Sequence, residues 1–235
     1  MRLTRALILA LALGLIVGLT PTPPATAQTT KPFRLPFDGP PGPATWYLGQ
    51  PYGNTIGAYR WRSSVYGAGQ GLHFGVDFAA PCGTPIVAIG DGVVVKVDES
   101  LHGAGPHNLM INHYDVELAS FYGHLLERSQ LLVGQQVRRG EMVGLSGDPD
   151  ETCKSRPHLH LEIRDLSHWH AYNPALYIEA DWDSLATVGL FSPGFARDLD
   201  DPRRWQFMED QPTVTFGGPL LNDYQHPWPP DWGGY

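Results

Sequence analysis

Pro157-His158-Leu159-His160-Leu161-Glu162-Ile163 (PHLHLEI) alternates polar and apolar side chains without a break from His158 onward. In a strand, successive side chains point to opposite faces. Leu159, Leu161 and Ile163 therefore share one face, and His158, His160 and Glu162 the other. The apolar face suits a core, while the other sets two imidazoles side by side, about 7 Å apart at the backbone by the strand rise. Outward from this stretch lie other short apolar runs: Ile86 to Ile89, Val93 to Val97, Leu109 to Ile111, Leu118 to Tyr122 and Met142 to Leu145, separated by glycine-containing turns. Runs of about five residues at a spacing of roughly 10 to 15, rich in valine and isoleucine, predict an all-β sandwich or barrel. Helical periodicity is weak throughout this region. The 27 glycines and 22 prolines also disfavour a helical bundle.

Of the 235 residues, 42% are hydrophobic and 17% charged, enough apolar material for one sizeable core and too little charge for a disordered chain. The net charge of −8 gives no electrostatic reason to seek phosphate backbones, so no nucleic-acid partner is expected. Residues 1–27 have the parts of a secretory signal: Arg2 and Arg5, the apolar run Ala6 to Leu19, and Ala25-Thr26-Ala27 at the cleavage positions. The run is short of the about 20 residues a membrane span needs. The expected destination is therefore secreted, periplasmic or wall-associated, with no stable membrane insertion after cleavage. Export predicts that Cys82 and Cys153 pair as a disulfide, the alternative being two buried thiols. Residues 28–47 read as a Pro-rich, irregular lead-in and 48–178 as the β domain. Residues 179–235 read as a Trp/Pro-rich extension carrying Trp182, Trp205, Trp228 and Trp232. It is expected either to strap its rings over the core or to stack against sugars or wall peptides.

The ten histidines are not equivalent. His73 and Asp77, in His73-Phe74-Gly75-Val76-Asp77, have helical spacing, but the central glycine disfavours a helix. On a straight strand they would stand about 13 Å apart, too far to share an ion, so Gly75 must permit a bend if they act together. His124 ends an apolar run beside Gly123. His102, His107, His113 and His226 read as structural or solvated. Ser167-His168-Trp169-His170 repeats the HxH spacing but lacks flanking leucines. Tyr52 and Asn54 are expected to border a groove.

Together, HFGVD, YGH and HLH, in that order, resemble the lysostaphin-type (LytM-like) zinc metallopeptidases, a family of peptidoglycan endopeptidases. The connecting text, APCGTP before GVV and VGQQV before GEMVG and SG, is similar as well, and the resemblance covers about residues 50–178. It implies a compact antiparallel β structure with an open groove. It also implies one Zn²⁺ per chain bound by His73, Asp77 and His160, with His124 and His158 as the catalytic pair. Three protein ligands leave a fourth position open for water, as in catalytic zinc sites. Glu162 is then a carboxylate supporting the site rather than the base. The implied function is an exported zinc metalloendopeptidase that hydrolyses cross-links or stem peptides of peptidoglycan. Alternatives are a zinc protease acting on proteins, or a non-catalytic module that binds wall or activates a partner hydrolase. The sequence departs from the family at Asp148-Pro149-Asp150-Glu151-Thr152-Cys153-Lys154-Ser155-Arg156, an acidic insert expected to reshape the groove wall.

Overall fold

The computed structural model describes residues 31–100, 105, 107–187 and 208–223. The proposed signal, His102, His226, Trp205, Trp228 and Trp232 lie outside the described residues. Eleven strands occur among those described: β1 (Tyr47–Gln50), β2 (Val76–Ala79), β3 (Pro85–Val87), β4 (Gly92–Val97), β5 (Leu109–His113), β6 (Leu118–Gly123), β7 (Gln136–Val137), β8 (Met142–Leu145), β9 (His158–Asp165), β10 (His170–Tyr172) and β11 (Val214–Thr215). Two α-helices occur among the described residues, α1 (Ile56–Arg60) and α2 (Trp182–Ala186), of five residues each. The main sheet runs β1-β2-β9-β6-β5-β4-β7, with β10 joining β9 and β11, while β3 and β8 form a separate pair. Each of these pairings is antiparallel. The expected all-β antiparallel fold is thus the observed one.

The PHLHLEI stretch lies at the centre of the sheet, as β9 between β2 and β6. Leu159, Leu161 and Ile163 are wholly buried in the main core with Val76, Phe78 and Ile111. Every apolar run singled out in the sequence overlaps a strand.

The core also draws on both flanks of the β domain. In the Pro-rich lead-in, Phe37 stacks on Trp46 and both meet Phe78 edge-on. Phe33 bridges to Ile178. In the C-terminal extension, Asp181 caps α2 by accepting from the Ser184 N–H, and the buried Trp182 packs near Phe78. Trp182 therefore straps the core. Val214 of β11 is buried as well, and Phe216 lies on Arg164. Cys82 and Cys153 form a disulfide that ties the acidic insert to the turn before β3.

Candidate metal centre

Asp77 and His160 are directly opposed in the β2–β9 register. Opposed residues of an antiparallel pair present their side chains on the same face about 5 Å apart. His73 reaches them from outside the sheet. Its backbone pairs with Gly53 in an isolated bridge, and the chain bends at Gly75 before entering β2. The bend replaces the straight-strand separation with a distance of 3.1 Å between His73 Nε2 and Asp77 Oδ1. Gly75 is also the place where the His160 ring passes: a β-carbon there would meet His160 Cε1 at 2.7 Å and the Leu161 carbonyl oxygen at 2.7 Å.

The three side chains close a triangle. His73 Nε2 lies 3.2 Å from His160 Nδ1, which lies 2.8 Å from Asp77 Oδ1. The remaining ring nitrogens are engaged elsewhere: His73 Nδ1 donates to the Pro51 carbonyl at 2.8 Å, and His160 Nε2 to Glu162 Oε1 at 3.2 Å. Those outer bonds fix each tautomer and turn a lone pair toward Asp77. Two imidazole lone pairs and a carboxylate oxygen aimed at one point repel one another unless a cation lies between them. A tetrahedral ion with bonds of about 2.0–2.1 Å sets its ligands about 3.3 Å apart, close to this triangle. The donor set, two nitrogens and one oxygen, suits Zn²⁺. The residues fit the ion.

Electrostatics agree. Burial opposes ionisation of Asp77, but the surrounding His73, His158 and His160 outweigh it and hold the carboxyl well below its usual range. Without an ion a proton takes its place: burial opposes charge on His160, yet Asp77 and Glu162 carry its pKa up to about 9, so that Nδ1 then donates to Asp77. The site thus favours positive charge between its carboxylates. Glu162 is itself wholly buried and held by Arg164 through two bonds, Nε to Oε2 at 2.7 Å and a terminal nitrogen to Oε1 at 2.9 Å. The Arg164 guanidinium lies over the rings of Phe121 and Phe216.

His124 and His158 stand beside this triangle, ring centroids 4.8 Å apart. His158 Nδ1 donates to the Arg156 carbonyl at 2.6 Å, and Nε2 lies 3.7 Å from Asp77 Oδ1. His124 follows β6 in the left-handed region, at φ 57°. Loss of hydration, then the neighbouring His158 and His160, push its pKa down to about 3, so its ring is neutral. Gly147 clips the two histidines together: its N–H donates to the His124 carbonyl at 2.8 Å, and its carbonyl accepts from the His158 N–H at 3.0 Å. The structure therefore brings all five sequence-expected residues, His73, Asp77, His124, His158 and His160, to one place.

They open into a groove of about 530 Å³ walled by Gln50, Trp61, Val65, Tyr66, Pro149 and Arg156. Trp61 and Val65 are exposed. Burial and the Asp77 carboxylate push the Tyr66 phenol up to about 12, with Gln50 and Arg156 acting the other way. Pro149 and Arg156 show that the acidic insert does form part of the wall. Tyr52 and Asn54 do not line it. The Tyr52 hydroxyl is buried, donating to a carbonyl of Ala171 or Pro212 and accepting from the Val214 N–H, while Asn54 pairs with Gln211 and Asn222. Tyr66 and Trp61 take the wall position instead, from a loop with no periodicity to reveal them.

The other described histidines stand apart from the cluster. His107 pairs with Asp98, His113 sits between the Asp91 carbonyl and Ser120, His168 meets Asn112 and His170 meets Asp165.

A two-histidine, one-aspartate centre beside an open groove in a β-rich domain has the donor set of a catalytic zinc site. Residues 71–174 match Peptidase family M23, so the chain carries a domain of that family. Over 136 residues it is 41% identical to an uncharacterized metalloprotease of Haemophilus influenzae, covering 58% of this chain and 24% of that one. It is 39% identical over 93 residues to the peptidoglycan DD-endopeptidase ShyA of Vibrio cholerae, covering 39% and 20%. It is 31% identical over 116 residues to lysostaphin of Staphylococcus staphylolyticus, covering 48% and 23%. The chain thus spans about a quarter or less of the length of these relatives.

Proposed function

We propose that the protein is an exported zinc-dependent endopeptidase that cuts the peptide part of bacterial peptidoglycan. The observation that carries this reading is the convergence of His73 Nε2, Asp77 Oδ1 and His160 Nδ1 on one point, next to a second pair of histidines in an open groove. The name of the Vibrio relative points to peptidoglycan as the substrate. In this reading residues 1–27 are a signal that is removed, residues 28–47 and 179–235 flank the peptidase domain, and each chain holds one zinc ion on His73, Asp77 and His160. Zinc, when bound, polarises the scissile carbonyl and acidifies water.

The chain's own groups do the rest. His158 keeps its Nδ1 proton on the Arg156 carbonyl, so Nε2 is the lone pair available to take a proton from the attacking water. The same nitrogen then returns that proton to the leaving amine. Neutral His124 retains one N–H, which donates to the carbonyl oxygen as negative charge gathers there. Asp77 and Glu162 stay ionised and hold the ligand imidazoles in place.

The test is digestion of purified peptidoglycan by the mature protein, with and without a zinc chelator, reading released fragments by mass. Chelator-sensitive peptide fragments are expected. Bound zinc with no fragments from several wall types would transfer the chemistry to protein substrates, and a protein that takes up no zinc would be a non-catalytic wall-binding module. The roles separate by mutation: His160→Ala loses zinc and turnover together, whereas His158→Ala keeps most zinc and loses turnover.

A further inference from the structure

Arg156 lies where the chain departs from the family it otherwise resembles, and the fold fixes it on both sides. Its N–H donates to Asp148 Oδ2 at 3.2 Å, and its carbonyl accepts from His158 Nδ1 at 2.6 Å. Asp148 also takes the Ser155 N–H and hydroxyl, and Cys153 anchors the same segment to Cys82. The side chain is exposed, and among the described residues its guanidinium makes no hydrogen bond or ion pair.

It faces two cavities at once. One is the groove over His158 and His160; the other, of about 510 Å³, adjoins the disulfide and is bounded by Thr45, Tyr47, Ala80 and Pro81. Of the residues lining either cavity, Asp77 in the groove is the single carboxylate, and its charge is spent on the histidines. An exposed guanidinium at the junction of two grooves, on a backbone held from both sides, suits a planar anion, which it can bind through two parallel N–H bonds.

We propose that Arg156 determines specificity: it receives a carboxylate of the substrate peptide, so the enzyme selects stems whose carboxylates are free over stems in which they are amidated. The inference rests on the peptidoglycan reading above. At an exposed guanidinium an ion pair of this type corresponds to a preference of up to about fivefold. Long-range electrostatics work in the opposite sense, because a chain of net charge −8 is repelled by an anionic wall. A preference for the carboxylate form must therefore come from a local cation.

The experiment compares peptidoglycan as isolated with the same material after its carboxylates are converted to carboxamides by carbodiimide and ammonia. Initial cleavage rates are measured for the zinc-loaded wild type, Arg156→Gln and Arg156→Lys. The expected result is a wild-type ratio of about three to five for carboxylate over carboxamide, falling to about one in Arg156→Gln and partly kept in Arg156→Lys. A wild-type ratio near one, or a ratio that Arg156→Gln leaves unchanged, overturns the assignment. If neither material is cut, the endopeptidase reading fails. Co-sedimentation then decides Arg156 by itself: wild-type retention on native but not amidated wall, lost in Arg156→Gln, supports it, and equal retention refutes it.

Discussion

Replacing Gly75 with alanine tests the construction of the metal site at its tightest point. The new methyl would lie 2.7 Å from His160 Cε1, 2.9 Å from its Nε2 and 2.7 Å from the Leu161 carbonyl oxygen, where ordinary contact begins at 3.4 Å. Something must retreat by about 0.7 Å. The Leu161 carbonyl belongs to the central strand and cannot give. The His160 ring is pinned between Asp77 at 2.8 Å and Glu162 at 3.2 Å, so its movement misplaces the Nδ1 lone pair. Overpacking of this kind costs about 1–3 kcal/mol of stability. A displacement of that size is about a third of a zinc–nitrogen bond of about 2.0 Å, and zinc affinity should fall at least about tenfold, or about 1.4 kcal/mol. Competition against a chromogenic chelator gives the affinity, and urea unfolding of the zinc-free protein gives the stability. A variant within twofold of wild type in zinc affinity, with an unchanged unfolding midpoint, would falsify the close approach on which this rests.

Gly147→Ala should divide the site differently: its methyl would meet the backbone of Leu125 and Leu126 at 2.6–2.7 Å, forcing apart the clip on His124 and His158 at a cost of about 3 kcal/mol. Turnover should collapse while zinc is retained, and zinc loss equal to that of Gly75→Ala would sink the distinction. The Cys82–Cys153 bridge spans 71 positions, for which loop entropy corresponds to about 4.4 kcal/mol at 25 °C. A double alanine variant losing under about 1 kcal/mol in denaturant titrations would show that the insert is held without it. His113 is depressed below its usual value by burial, opposed by the Asp91 contact, so it stays neutral in the fold while an unfolded histidine takes up a proton below about pH 6.5. Its contribution to stability is therefore present above that pH and lost as pH falls toward its folded pKa. The stability gap between wild type and His113→Gln should narrow from pH 7 to pH 5, and a constant gap would count against it.

The strands were readable in the sequence for a local reason, whereas the five site residues came together only through the resemblance of HFGVD, YGH and HLH to a known family. In PHLHLEI the period of two is carried by adjacent residues, and the need for a bend at Gly75 follows from chain reach alone. What stayed hidden depends on distant pairing. Nothing in the sequence places Asp77 opposite His160, because that register is set by strands more than 80 positions apart. The structural roles of Phe33, Phe37 and Trp46 were masked by prolines and irregular spacing, although each ring is buried. Sequence position puts Tyr52 and Asn54 beside the groove, but the C-terminal extension covers them with Gln211, Val214 and Asn222. Arg164 could be recognised as part of a strand, but not as a buried cation clasped by Phe216 some fifty residues later.

The strand β1 has a consequence for anyone trimming this protein to its family-matched segment. A fragment of residues 71–174 begins after β1 and ends before α2, which packs against β1. Its β2 would become a bare border presenting unpaired N–H and carbonyl groups, a template for the next copy to add to. The same cut removes Phe216 from Arg164 and the Gly53 partner of His73. Such a fragment should stick to itself, and its insolubility would be a matter of sheet borders rather than of chemistry.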